Sequence, residues 1–60
     1  MRQEANRWWQ QALEDLDTAE KNFDIRKFYV AAFYCQQSVE KALKALFLEK
    51  KRDLPPKTHN

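Results

Sequence analysis

The first half of the chain carries apolar residues at helical intervals along one side. Their spacing alternates between four and three positions: Ala5, Trp9, Ala12, Leu16, Ala19 and Phe23. Trp8 and Leu13 widen this stripe, while polar side chains occupy the opposite side. The 3.5-residue repeat predicts a helix over about residues 2–23 with one buried face. Asp17 and Lys21, four positions apart, are expected to form an ion pair on its exposed side.

The same spacing returns in the second half and predicts a second helix over about residues 28–51. Its stripe consists of Phe28, Ala32, Cys35, Val39, Ala42 and Leu46. A second flank widens the apolar surface: Tyr29, Phe33, Leu43 and Phe47. A helix with so wide an apolar surface is expected to have neighbours on two sides. The place of Cys35 on the stripe predicts a small buried residue rather than a nucleophile.

The predicted turn between the helices covers residues 24–27, and Asp24 is the expected N-cap of the second helix. Pro55 and Pro56 are expected to end that helix, because proline has no backbone N–H to donate. This leaves a predicted loop over residues 52–60.

The chain is therefore expected to be all-α, an antiparallel two-helix hairpin. With 60 residues it is at most one domain, and a chain of this size buries only about 60% of its unfolded surface. Completion of the core by self-association is predicted, most simply as a dimeric four-helix bundle.

Composition excludes several classes of site and location. One cysteine cannot form an internal disulfide, and the absence of glycine excludes a glycine-rich phosphate loop. No metal-ligand spacing or cofactor motif is present, so neither a metal nor a cofactor is expected. No apolar run reaches the roughly eighteen residues of a membrane span, and the first residues lack a secretory signal, so a cytoplasmic location is expected.

The two helices also carry a string of residues that resembles the HEPN domain. The first helix contributes Trp9, Ala12, Asp15, Leu16 and Ala19; the second contributes Ala32, Phe33, Gln36, Gln37 and the run Val39-Glu40-Lys41-Ala42-Leu43-Lys44-Ala45, followed by Thr58-His59. The resemblance extends over essentially all of residues 1–60. It corresponds to the first half of a HEPN domain, which is an up-and-down bundle of four or five helices, so residues 1–60 are expected to be a single partial HEPN-like domain.

The resemblance implies a protein associated with nucleotides or RNA, often paired with a minimal nucleotidyltransferase as toxin and antitoxin. Active members are metal-independent endoribonucleases whose Arg-x4-6-His motif lies on a later helix at a dimer interface. Arg52 and His59 match this spacing, but they stand on either side of Pro55-Pro56 in a predicted loop. We therefore expect no catalytic residue and no enzymatic activity in this 60-residue chain.

Two groups of residues are candidates for binding. The expected nucleic-acid contacts share one side of the second helix: Tyr34, Lys41, Lys44 and Lys51. The expected core or subunit interface consists of Trp9, Leu16, Phe28, Phe33, Val39, Leu43 and Phe47. The lysines have a plainer interpretation as a solvated face, and the net charge of +2 is too small to favour nucleic acid by itself.

Two further features leave alternatives open. Gln36 and Glu40 lie one turn apart and belong either to a helix–helix seam or to a solvated edge. Trp9 is expected in the core, with Trp8 half-buried or at a subunit contact.

The leading hypothesis is a non-catalytic HEPN-like protein that engages RNA, a nucleotide or a nucleotidyltransferase. The alternative is an oligomerisation hairpin with no nucleic-acid role. Salt-dependent RNA binding distinguishes the two, since only the first hypothesis predicts it.

Overall fold

The computed structural model describes the backbone of residues 1–53 and the side chains of residues 1–51. It contains two helices, α1 (Gln3–Asp24) and α2 (Phe28–Asp53), which pack against each other as an antiparallel hairpin. The predicted all-α hairpin is therefore confirmed. Helix α1 begins and ends one residue later than predicted, and α2 continues through Asp53, two residues into the predicted loop.

The seam between the helices is built from small residues at seven-residue intervals. They are Ala5, Ala12 and Ala19 on α1 and Ala31, Ser38 and Ala45 on α2, all at most 8% exposed. Small side chains at every second turn allow the two backbones to approach closely. The predicted buried face of α1 is thus confirmed at its three alanines.

The buried side of α2 differs from the predicted one. The predicted stripe from Phe28 to Leu46 lies beside the seam, and both of these residues are about half exposed. Cys35 is exposed, so its prediction as a buried core residue is wrong within the hairpin. The physical reason is that α1 covers only one narrow strip of α2, and that strip is filled by the smallest side chains rather than the most apolar ones.

The turn is a Schellman motif formed without glycine. The N–H of Arg26 donates to the Phe23 carbonyl at 2.9 Å, and that of Lys27 donates to the Asn22 carbonyl at 2.8 Å. Arg26 takes the left-handed conformation with φ 65°. Asp24 is the last residue of α1, so its prediction as the N-cap of α2 is wrong. Helix α2 begins only after Lys27, whose carbonyl accepts the first helical hydrogen bond, from Ala31.

Two further polar contacts lie at the open end and on the outer side of the hairpin. At the open end of the hairpin, Glu49 Oε1 accepts a 2.8 Å hydrogen bond from the backbone N–H of Arg2, at the start of α1. On the outer side of α1, the predicted ion pair is confirmed, with 2.9 Å between Lys21 Nζ and Asp17 Oδ2. Hydrogen bonding to Asp17 raises the pKa of Lys21 above its usual 10.5. Both side chains are exposed, so water screens this pair strongly.

The hairpin is a single layer. Its principal extents are 52 × 24 × 9 Å, and the shortest is the thickness of one helix. Its radius of gyration of 15.0 Å exceeds the roughly 10 Å of a compact 60-residue domain. Domains ordinarily bury their apolar faces between two layers. The faces of this hairpin are therefore open on both sides.

Candidate nucleic-acid interface and apolar face

One broad side of the hairpin, the apolar face, carries a groove beside the turn. The groove has a volume of about 580 Å³ and is lined by Leu16, Ala19, Glu20, Phe23, Phe28, Ala31, Ala32 and Cys35. The rings of Phe23 and Phe28 meet edge to face, with centroids 5.4 Å apart. Phe23 lies in the last turn of α1 and Phe28 is the first residue of α2, so the short turn itself brings them together.

The residues predicted as core or interface lie outside the core of the hairpin. Six of them are 51–61% exposed: Leu16, Phe28, Phe33, Val39, Leu43 and Phe47. Trp9 is half-buried. Leu16 and Phe28 line the groove, whereas Phe33, Leu43 and Phe47 lie on the part of α2 that faces away from α1. The hairpin alone thus leaves two apolar surfaces of α2 uncovered.

The opposite broad side, the polar face, is centred on an ion pair between the helices. Lys41 Nζ lies 2.7 Å from Asp15 Oδ2, and the two side chains are only 25% and 15% exposed. Removal from water makes such a pair costly unless both charges remain matched. Lys41 was predicted to contact nucleic acid, yet in this structure its charge is balanced by Asp15.

Lys44 is the more available cation on the polar face. It is exposed, and its Nζ lies over the ring of Trp8, 5.6 Å from the ring centroid. This distance is within the range of a cation–π interaction. Lys51 lies two helical turns further along α2 and is also exposed.

Tyr34 is the aromatic member of the predicted nucleic-acid group. Its side chain is half-buried, and its ring packs edge to face against Phe33 with centroids 5.3 Å apart. The structure therefore places all four predicted residues along α2, but it gives them different surroundings. Lys44 and Lys51 are open to solvent, Tyr34 is partly covered and Lys41 is paired.

The polar pair within α2 lies at a solvated edge of the hairpin. Gln36 Nε2 donates a 3.3 Å hydrogen bond to Glu40 Oε2, and both residues are exposed. Of the two alternatives for this pair, the hairpin supports the edge over the seam.

A family profile described as the HEPN domain matches residues 5–60. The chain belongs to the HEPN family. HEPN proteins are associated with nucleotides and RNA, and HEPN domains commonly self-associate. Neither the curated proteins nor the solved structures give a match to this chain.

Arg52 and His59 are the two residues that match the spacing of the HEPN catalytic motif. Arg52 falls in the last turn of α2, but its side chain and the whole of His59 lie outside the described residues. Within residues 1–53, no group of His, Cys, Asp and Glu side chains is arranged to hold a metal ion. Over the same part of the chain, neither helix is long and apolar enough to cross a membrane.

Some residues of this HEPN hairpin were not identified from the sequence. Ser38 was missed as a seam residue, and the partnerships of Asp15 with Lys41 and of Trp8 with Lys44 were not anticipated. A signal for Ser38 exists, because Ala31, Ser38 and Ala45 repeat the seven-residue interval of the alanines in α1. The cross-helix pairs depend on the register of the hairpin, for which the sequence has no comparable signal.

Proposed function

We propose that this protein is a non-catalytic HEPN-type binding module that self-associates through its apolar side and contacts RNA with its polar face. The observation that carries the proposal is the chemical difference between the two broad sides of a hairpin that is one helix thick. One broad side has an apolar groove, and the other carries Lys44, the Asp15–Lys41 pair and two half-buried aromatic residues. In such a single layer, the apolar side is available to a second copy and the polar face is available to a charged ligand.

The amount of exposed surface supports self-association. The accessible surface is 5250 Å², against about 4,200 Å² expected for a compact monomer of 7.3 kDa. The excess of about 1,000 Å² is similar to the roughly 800 Å² that each partner contributes to a standard interface. We therefore propose a dimeric four-helix bundle in which Leu16, Phe28 and Val39 face the second copy, with Phe33, Leu43 and Phe47 as the adjoining flank.

The charges of the polar face support RNA as the ligand. Lys44 and Lys51 are exposed, about 10 Å apart along the axis of α2 at 1.5 Å per residue. Lysines in such a line suit phosphates along a nucleic-acid backbone, while Trp8 provides aromatic surface beside Lys44 and Tyr34 lies about 15 Å further along α2. Lys41 neutralises the charge of Asp15, so that this carboxylate does not repel phosphate.

The proposed protein partner, besides a second copy, is a minimal nucleotidyltransferase, as in HEPN toxin–antitoxin pairs. This part of the proposal rests on the family resemblance. Co-expression of the two proteins should give a complex that elutes with fixed stoichiometry. Separate elution of two folded proteins at micromolar concentration would remove this partner.

The RNA proposal is tested by the salt dependence of binding to a labelled single-stranded RNA. The test variant is Lys44→Gln with Lys51→Gln, and the matched control is Lys21→Gln with Lys27→Gln. Both double variants remove two exposed positive charges, but the control pair lies away from the polar face. We expect the test variant to bind more weakly and to reduce the slope of log K against log salt by about one to two units.

The comparison of the two variants decides the outcome. An equal loss of affinity in both would indicate non-specific attraction and would remove the polar face as the binding surface. If the dimeric parent shows no salt-dependent binding, the alternative of a purely structural oligomerisation hairpin is favoured instead.

A further inference from the structure

The side of α2 that faces away from α1 carries a helical repeat of its own, here called the outer edge. Its members are spaced alternately by four and three positions: Tyr29, Phe33, Gln36, Glu40, Leu43 and Phe47. The seam residues of α2 lie on the opposite side of the helix, so α1 covers none of this repeat. A 3.5-residue repeat along one side is the pattern with which two helices pack along their length. Within one hairpin, this pattern has no facing helix.

The apolar members of the outer edge are open to solvent. Tyr29 is 95% exposed, and Phe33, Leu43 and Phe47 are 55–61% exposed. At roughly 200 Å² for a whole aromatic side chain, the three aromatic residues alone leave about 400 Å² uncovered in each copy. This is about half of the roughly 800 Å² that each partner contributes to a standard interface. A single helix packed along another is an occupant of matching size.

The outer edge is symmetric about position 38. The members nine positions on either side, Tyr29 and Phe47, are aromatic, and those five positions away, Phe33 and Leu43, are apolar. The members two positions away are polar. An antiparallel second copy centred on the same position therefore places Tyr29 opposite its Phe47 and Phe33 opposite its Leu43. An isologous contact requires this kind of self-complementary surface.

The polar layer at the centre selects this register. Gln36 Nε2 donates a 3.3 Å hydrogen bond to Glu40 Oε2 within one copy, and both residues are exposed, so each can bond instead to the facing copy. In the antiparallel register, Gln36 of each copy lies opposite Glu40 of the other. A parallel pair sets Glu40 against Glu40, and an antiparallel pair shifted by seven residues sets Gln36 against Phe33. Repulsion disfavours the first arrangement, and an unpaired amide disfavours the second.

We propose that the outer edge of α2 is a self-recognition surface on which a second copy of this chain packs antiparallel, with the two Gln36–Glu40 layers at the centre. This contact goes beyond the apolar-face dimer proposed above and shares with it only the premise of self-association. Its two-fold axis is perpendicular to the hairpin layer, so the apolar faces of both copies lie on the same side. The pair is then one layer of four helices, and two such pairs stacked through their apolar faces form a tetramer.

The register is tested by disulfide cross-linking in a Cys35→Ser background, which removes the one native thiol. Phe33→Cys and Leu43→Cys, one of them tagged, should form a disulfide with each other when they are mixed and oxidised. Each variant alone should stay unlinked, because two copies of position 33 lie about 15 Å apart along the paired helices. A disulfide needs Cα atoms within about 7 Å. The matched control mixes Phe33→Cys with Gln10→Cys, an exposed position on α1. Disulfides within one variant, or no excess over the control, would overturn the register.

The polar layer is tested by charge. Gln36→Glu gathers four carboxylates at the centre of the contact and should weaken it by about tenfold or more, whereas Gln36→Lys should strengthen it by a similar factor. The matched controls are Gln10→Glu and Gln10→Lys, because Gln10 and Glu14 are also exposed and four positions apart, but on α1. Sedimentation over a concentration series measures association, and circular dichroism establishes that the helices are retained. Control variants should stay within twofold of the parent. Equal effects of both charges at position 36 would contradict the facing of Gln36 by Glu40.

The outer edge and the apolar face fail in different ways. Leu16→Glu places a charge in the apolar groove, so it should lower the mass of the assembly and leave the cross-link intact. If the parent assembles without the cross-link and without response to the charge at position 36, the outer-edge contact is overturned and the apolar-face dimer stands. If the cross-link forms but Leu16→Glu leaves the mass unchanged, the apolar-face dimer is overturned instead. A monomeric parent that gives no cross-link overturns both.

Discussion

The hydroxyl of Ser38 donates a 2.7 Å hydrogen bond to the backbone carbonyl oxygen of Ala12 on the facing helix. Ser38 is 8% exposed and Ala12 is 3% exposed, so this bond is closed off from water. A serine side chain is short, and it reaches the backbone of the opposite helix only because an alanine leaves room there. This one contact therefore fixes both the distance between the helices and their register.

Replacement of Ser38 tests this role. Ser38→Ala should lower the free energy of unfolding by about 1 kcal/mol, since it removes one buried hydrogen bond without adding volume. Ser38→Leu should lower it further, by about 1–3 kcal/mol from overpacking, because the added atoms force the helices apart. Denaturant unfolding at a fixed protein concentration measures both variants. Unchanged stability in Ser38→Leu would contradict the close packing of the seam.

The Asp15–Lys41 pair should show a measurable coupling energy. Its side chains are 15% and 25% exposed, so the pair is intermediate between exposed and buried ion pairs. An exposed pair stabilises a protein by about 0–1 kcal/mol, whereas removal of one partner of a buried pair costs about 3–5 kcal/mol. A double-mutant cycle with Asp15→Asn and Lys41→Met should give about 1–2 kcal/mol of coupling. The same cycle on the exposed pair Asp17 and Lys21 serves as the control and should give a smaller value. Equal coupling energies for the two pairs would show that burial does not strengthen the Asp15–Lys41 pair.

Glycine at position 26 should stabilise the hairpin. Arg26 has φ 65°, and the left-handed conformation costs a residue with a Cβ roughly 1–2 kcal/mol. Arg26→Gly removes this strain but adds freedom to the unfolded chain, so the net gain should be about 0.5–1 kcal/mol. Arg26→Ala is the matched control, since it removes the same charge while keeping the Cβ, and it should give no gain. A gain of equal size in both variants would assign the effect to charge.

Self-association should be detectable at micromolar concentration. Light scattering should give the mass of a dimer or larger assembly, and the melting temperature should rise with protein concentration. Phe33→Asp should dissociate or unfold the assembly, because it places a charge on the apolar surface of α2. The control, Gln10→Asp, adds the same charge to an exposed position on α1. A folded parent that remains monomeric would falsify the proposed four-helix bundle.

The 60-residue chain is expected not to cleave RNA. Metal-free cleavage needs a proton-transferring group and a cation held within about half an ångström of their working positions. His59 is the sole histidine of the sequence, and Pro55-Pro56 separates it from Arg52, so one rigid helix cannot carry both. Purified protein incubated with labelled RNA and a chelator should leave it intact. Cleavage that disappears in His59→Ala would show that this segment is an active site.

The sequence alone determined the elements of this fold. Periodicity indicates two helices and one turn, because a 3.5-residue apolar repeat is maintained for more than five turns in each half. It also predicted a buried stripe on α1, of which Ala5, Ala12 and Ala19 are buried while Leu16 and Phe23 are exposed, and it predicted Asp17 with Lys21 as a local pair. Each of these features depends on residues no more than a few positions apart, within one helix, so local geometry is enough to predict it.

Only the tertiary structure decided which side of α2 meets α1. The apolar spacing of the sequence favours the stripe from Phe28 to Leu46, because burial of apolar surface is the main driving force of folding. The hairpin instead uses Ala31, Ser38 and Ala45, since small residues facing the alanines of α1 allow close contact. The larger side chains then remain on open faces.

The cross-helix partners were likewise decided by the tertiary structure. Trp8 meets Lys44 and Asp15 meets Lys41 because the Ser38–Ala12 contact sets the antiparallel register. Within each helix, every polar residue has several sequence-compatible partners on the other. The sequence therefore provides the groups of the candidate site, and the packing of two small-residue strips decides which of them meet.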